Sequence, residues 1–156
     1  MIDRRAFGRL FERHAPMVHG LLIARLDPAD ADDLMQDVFV IALEELPSLR
    51  EEAAFGGWLA QIARHRALDH LRKKSPVLGA VPDMGADDPP RGEAEEALQA
   101  IRALPEAYRE TLVLRLVEGM TGPEIAERTG LTPDSVRVNL HRGLKMLREK
   151  LEGGPP

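Results

Sequence analysis

Three groups of side chains in this sequence have the types and spacing to recognise charged partners. Trp58 to Lys74, WLAQIARHRALDHLRKK, holds the only tryptophan together with Arg64, His65, Arg66, His70, Arg72, Lys73 and Lys74. The chain as a whole is acidic, at −5, so this local excess of positive charge points to an anionic partner at one place. A second basic group, Arg137, Asn139, His141, Arg142, Lys145 and Arg148, lies near the C-terminus. Arg and Asn are the side chains that bond bidentately to guanine and adenine edges. The third group is acidic. Asp30, Asp32 and Asp33 are explained by the dipole at a helix start. Asp37 and Glu44 lie too far along for that, and with Gln36 and Val40 they form a docking surface for a basic partner. Each group also has a plainer reading as a solvated face, and Arg72, Lys73 and Lys74 also complement a helix C-terminus.

Bond-making chemistry finds no comparable set. His65 and Asp69, four apart, could share a metal, but no third ligand is evident. There is no phosphate-cradling glycine loop and no serine or cysteine in a nucleophile context. His14, His19, His70 and His141 are scattered, and the absence of cysteine excludes disulfides and thiolate metal sites. The expectation is a protein that is not an enzyme, with no cofactor, no metal and no small-molecule substrate.

Helices must position these groups. Of the 156 residues 44% are hydrophobic but only 4% aromatic, so the core is built mainly from Leu, Ala, Val and Ile, a palette that favours helix. The opening MIDRRAFGRLFERH has no apolar h-region, and no run approaches a membrane span, so a cytoplasmic protein without membrane insertion is expected. Residues 1–75 carry 11 Lys+Arg against 12 Asp+Glu, 76–97 one against six, and 98–156 nine against eight. The segment SPVLGAVPDMGADDPPRGEAEE adds four prolines and three glycines to its acids, with no helical period. The sequence therefore predicts an all-α protein of two small helical domains, 1–75 and 98–152, joined by a flexible acidic linker at 76–97.

In the first domain, Phe7, Leu10, Phe11, Val18, Leu21 and Leu22 predict a helix that Pro16 kinks or splits. Asp27-Pro28 is a helix start, and Leu34, Met35, Val38, Phe39, Ala42 and Leu46 carry that helix to Pro47. Ser48 to Gly57 reads as a loop. In the second, Leu98, Ile101 and Leu104 give a short helix, and Glu106 to Glu118 another, stopped by Gly119. Thr121 and Thr132 are N-caps of two further helices that turn sharply at Gly130. Ala126, Gly130 and Val136 have the spacing of a helix-turn-helix unit, whose second helix enters the DNA major groove. An ordinary helical hairpin is the alternative.

The blocks DPADADDLMQDVF, FGGWLAQIARHRALDHLRKK and LPEAYRETLVLRLVEGMTGPEIAERTGLTPDSVRVNLHRGLKMLREKL together resemble a bacterial RNA polymerase sigma factor of the extracytoplasmic-function (ECF) group. The resemblance covers nearly the whole chain. It implies a subunit that binds core RNA polymerase, through its beta-prime and beta subunits, and directs it to promoter DNA. Asp33, Gln36, Asp37 and Glu44 would dock on the clamp helices of beta-prime. Trp58, Gln61, Arg64, His65, Arg72 and Lys73 would open the minus-ten element and hold its non-template strand. The loop Ser48 to Gly57 would capture a flipped-out base. Ser135, Arg137, Asn139, His141, Arg142 and Lys145 would read the minus-thirty-five element. The linker would thread the RNA exit path, and an anti-sigma factor would be a partner. The sequence departs from the family pattern at Gln61, commonly Arg, at His65, often Asn, at Arg137-Val138-Asn139, commonly lysine–serine–arginine, and at Gly143, commonly Ala. These bear on promoter preference. A stand-alone helix-turn-helix regulator is the alternative function, with an adaptor protein as a third class.

Overall fold

A computed structural model describes residues 2–74 and 92–153, so residues 76–91 of the linker expected at 76–97 lie outside the described residues. Among the described residues every regular element is helical. Helix α1 (Arg4–Ile23) is started by Asp3, whose carboxylate accepts from the Ala6 amide at 2.8 Å. It buries Phe7, Phe11, Met17, Val18, Leu21 and Leu22 along one stripe. The expected break at Pro16 does not occur, and the helix runs through it unbroken. Pro16 is exposed, so water can satisfy the carbonyl that its missing N–H leaves free.

Helix α2 (Pro28–Glu45) begins as its Asp-Pro signal predicts, with the Asp27 side chain accepting from the Asp30 amide. Ala31, Leu34, Val38 and Ala42 face inward. Of the loop expected at Ser48–Gly57, Ser48 ends one short 3-10 turn, Leu46–Ser48, and Glu52–Ala54 forms a second. Helix α3 (Phe55–Lys74) then starts before the tryptophan, so Gly56 and Gly57 are helical residues and not part of a loop. All four phenylalanines of the chain meet Trp58 and His14 in one cluster at the junction of α1, α2 and α3.

The second unit comprises α4 (Glu93–Arg102), α5 (Glu106–Leu112), a π-helical turn at Val113–Val117, α6 (Gly122–Thr129) and α7 (Pro133–Gly153). Helix α4 begins inside the stretch that composition assigns to the linker. The sequence predicts one helix over Glu106–Glu118. The wider π turn instead buries Val113 and Leu114 and leaves Leu116 and Val117 exposed. Gly143 is buried where α7 crosses α5, and a Cβ there would lie 3.2 Å from Leu112 and Tyr108 atoms. Glycine at position 143 thus matches the close approach of these two helices.

The two units pack against each other. A Cβ added at Gly20 of α1 would lie 2.4 Å from Leu114 Cδ2, and one at Gly56 of α3 would lie 2.3 Å from the Arg128 carbonyl oxygen. His14 is buried in this region, its Nδ1 donating to the Leu10 carbonyl at 2.7 Å and its ring lying edge-on to Phe55. Burial foremost, aided by nearby Arg128 and Arg13 and opposed by the hydrogen bond to Leu10 and by Glu127, holds its pKa below the ordinary value. A histidine whose folded pKa is depressed binds its proton more readily when unfolded, so it removes stability as pH falls below about 6.5. The melting temperature of the native chain should therefore fall more between pH 7 and pH 5 than that of His14→Phe. Parallel profiles for the two proteins would remove His14 as the cause.

Candidate nucleic-acid interface

The helix-turn-helix is assembled by local chemistry. Thr121 and Glu124 form a reciprocal capping box, each side chain meeting the other's backbone amide at 3.2 Å. That bonding holds the Glu124 carboxyl below its usual pKa. Gly130 ends α6 at φ +81°, a left-handed conformation that glycine adopts without strain. Thr132 then caps α7 by accepting from the Ser135 amide at 3.1 Å. Ile125, Ala126 and Val136 fill the small core between the helices.

This construction leaves one face of α7 to solvent. Ser135, Arg137, His141, Arg142 and Lys145 are exposed and Asn139 is half-buried. The Arg137 guanidinium bonds to Asp134 one turn back while 74% of its side chain stays accessible. The Ser135 hydroxyl accepts from Thr132, so it serves the cap. The structure thus brings the six sequence-predicted residues onto one projecting helix.

The tryptophan helix is less open than its composition predicts. Gln61 and His65 are exposed, and Arg72 and Lys73 extend into solvent near Asp69. Trp58 is half-buried against Phe55. Lys74 and His70 turn toward Asp27 and Asp30, fastening the end of α3 to the start of α2. The hydrogen bond from Lys74 holds the Asp30 carboxyl below its ordinary pKa. Arg64 points away from solvent. Its Nε lies 3.0 Å from both carboxylate oxygens of Glu110, and only 19% of its side chain is accessible.

Along α2 the acidic set is presented as predicted. Asp33, Gln36, Asp37 and Glu44 are exposed, with Phe39 and Val40 among them. Asp37 pairs with Arg66 of α3 at 2.9 Å and keeps about half its side chain accessible.

Sequence reasoning missed a further group. Arg25, at the end of α1, pairs with Glu106 and lies 2.6 Å from Glu110. Arg102 donates to the Ile23 and Leu26 carbonyls, and His19 meets Glu118 at 2.7 Å. These partners are far apart in sequence, and no local pattern announces them.

Residues 10–77 match the family model described as Sigma-70 region 2, and residues 94–147 match Sigma-70, region 4. RNA polymerase sigma factor CarQ of Myxococcus xanthus is 35% identical, the match covering 94% of this chain and 89% of CarQ. ECF RNA polymerase sigma factor SigD of Mycobacterium tuberculosis is 31% identical over 96% of this chain and 78% of its own. Among solved structures, CnrH in complex with the cytosolic domain of CnrY aligns with a TM-score of 0.61 and 26% identity, covering 98% of this chain and 92% of CnrH. The sigma factor RpoE of Bartonella quintana, in complex with the anti-sigma factor NepR, aligns at 0.64 and 20% identity over 96% and 98% of the two chains, a likeness of fold.

A helical domain followed by a helix-turn-helix domain, matched in that order, defines the class as a sigma-70-type initiation factor of RNA polymerase. Within that class the chain belongs to the ECF sigma factors, and its function is to direct RNA polymerase to promoters. Sigma factors are regulatory initiation factors. Among the described residues no helix is long and apolar enough to cross a membrane.

Proposed function

We propose that the three exposed sets divide the work of promoter recognition as follows. The α2 edge of Asp33, Gln36, Asp37 and Glu44 docks on basic side chains of the beta-prime clamp helices, with Phe39 and Val40 supplying apolar contact. Helix α7 enters the major groove of the minus-thirty-five element. There Arg137 and Asn139 face base edges, while Arg142 and Lys145 neutralise phosphates. The exposed face of α3, with Gln61, His65, Arg72 and Lys73, follows the non-template strand of the opened minus-ten element, and Trp58 lies at its start. Arg64 joins that face once it leaves Glu110. The beta subunit, and an anti-sigma factor like those bound to the related proteins of known structure, complete the set of partners. The place of action is the cytoplasm, where the polymerase is, and the reading calls for no cofactor or metal.

The observation that carries this reading is one chain presenting an acidic docking edge on α2 and a capped, solvent-facing recognition helix on α7. A stand-alone regulator would leave the α2 edge without a partner. Gel filtration of the protein with purified core polymerase tests the division. Co-elution that is lost when a primary sigma factor is added in excess supports docking at the shared site. Separate elution at micromolar concentrations contradicts it.

A further inference from the structure

Helix α7 presents one apolar side chain that neither packing nor helix propensity explains. Val136, Gly143 and Leu147 are buried, and Leu140 packs partly against the core. At about 100° per residue, Val138 lies roughly 170° from the centre of that packed side, so it projects away from the protein. Leu144 and Leu151, also exposed, lie within about 70° of the same centre and border the core. Val138 keeps 41% of its surface accessible. Its neighbours at helical spacing are Asp134, His141, Arg142 and Lys145, all exposed, and it is the one apolar residue among them. A β-branched residue is also a weak helix former, so an exposed valine at this point contributes little to the fold.

The outward side of α7 is the side that a major groove would meet. Of the recognition groups that base pairs expose there, only the thymine 5-methyl is apolar; the others are hydrogen-bond donors and acceptors. Valine has no polar atom with which to satisfy them. Set against the cytosine amino group, it would displace water from a donor and leave that donor unpaired. Against a thymine methyl it buries apolar surface on both partners. The charged neighbours cannot do this, but their contacts to phosphates and base edges would hold the valine in the groove.

We infer that Val138 is a specificity-determining residue of the minus-thirty-five reader, selecting thymine at one position through its 5-methyl group. The polar residues around it supply affinity and read hydrogen-bonding edges. Val138 adds a selection that depends on shape and on burial of a methyl. This role rests on the insertion of α7 into the major groove proposed above.

The test uses holoenzyme assembled from core polymerase and the full chain. Duplexes randomised across the minus-thirty-five element are selected with native and with Val138→Ser holoenzyme. Serine has nearly the helix propensity of valine and the site is exposed, so the variant should keep the native circular dichroism and melting temperature. Native holoenzyme should prefer thymine at one position. Val138→Ser should lose that preference while keeping the one that depends on Arg137. Replacing that thymine by deoxyuridine removes the methyl and leaves every hydrogen-bonding group in place. The replacement should weaken native binding about fourfold, the factor for burial of one methyl-sized group, and leave Val138→Ser binding unchanged. No thymine preference in the native profile, native binding indifferent to deoxyuridine, or a methyl effect that persists in Val138→Ser overturns the inference. Weaker binding of Val138→Ser to core polymerase with an unaltered element preference overturns it as well, and assigns the side chain to a protein contact. Holoenzyme with no sequence preference anywhere in the element, that of Arg137 included, would instead overturn the insertion of α7 on which the role rests.

Discussion

Asp37→Arg should weaken binding to core RNA polymerase by at least about thirtyfold while leaving the protein folded. The first expectation follows from position. Asp37 lies halfway along α2 on the edge that also exposes Gln36, Phe39 and Val40, and about half of its side chain is accessible despite its pairing with Arg66. Losing one member of a hydrogen-bonded charge pair in an interface costs roughly 2–5 kcal/mol, and a reversed charge adds repulsion from a basic partner. The second follows from exposure. The substitution sets a cation beside Arg66, but half-exposed pairs contribute about 1 kcal/mol or less. Equilibrium titration of labelled protein with core enzyme, alongside urea unfolding, separates the two effects. Native affinity in a folded variant would remove α2 as the docking edge.

Arg137→Ala should lower affinity of the holoenzyme for its promoter by about 1–3 kcal/mol, or roughly five- to 150-fold, and relax selectivity at one base pair of the minus-thirty-five element. Arg137 lies in the first turns of α7 with 74% of its side chain accessible, although its guanidinium also bonds to Asp134 one turn back. Lys145, two turns further on and exposed, provides the contrast. In the proposed division of roles Lys145 neutralises a phosphate, so Lys145→Ala should weaken binding evenly across sequences and reduce the salt dependence by about one released ion. A base-resolved binding profile measured at two salt concentrations distinguishes these outcomes. Equal, sequence-independent losses for both variants would contradict base reading by Arg137.

The elements legible in the sequence were those fixed by neighbours in the chain. Thr121 with Glu124, Gly130, Thr132 and Asp27-Pro28 act within four residues, and the structure shows each cap and turn where its residue type required it. The acidic edge and the α7 face were legible because helical period alone decides which side of a helix meets water. Other features depended on surroundings. Pro16 was expected to interrupt α1, yet its solvent-facing position made the missing hydrogen bond cheap. The π turn at Val113–Val117 depends on how Val113 and Leu114 are drawn into the core, a packing matter that period does not encode. Gly56 and Gly57 looked like loop residues because glycine disfavours helix, whereas here glycine makes room for the Arg128–Gly130 backbone. Arg64 shows the limit most clearly. Its place in a basic run suggested exposure, but Glu110, 46 residues away, takes it out of solvent. A composition-based linker with two free domains likewise gave no sign that Gly20 and Leu114 would touch.

Run-off transcription from a linear template carrying the cognate promoter tests the central claim most directly. Neither this protein nor core polymerase alone should yield the defined transcript, and together they should start it at a single position, with Asp37→Arg abolishing the product. A transcript that core enzyme makes equally well without the protein would contradict the account. So would stable, sequence-specific DNA binding by the protein alone with no effect on initiation.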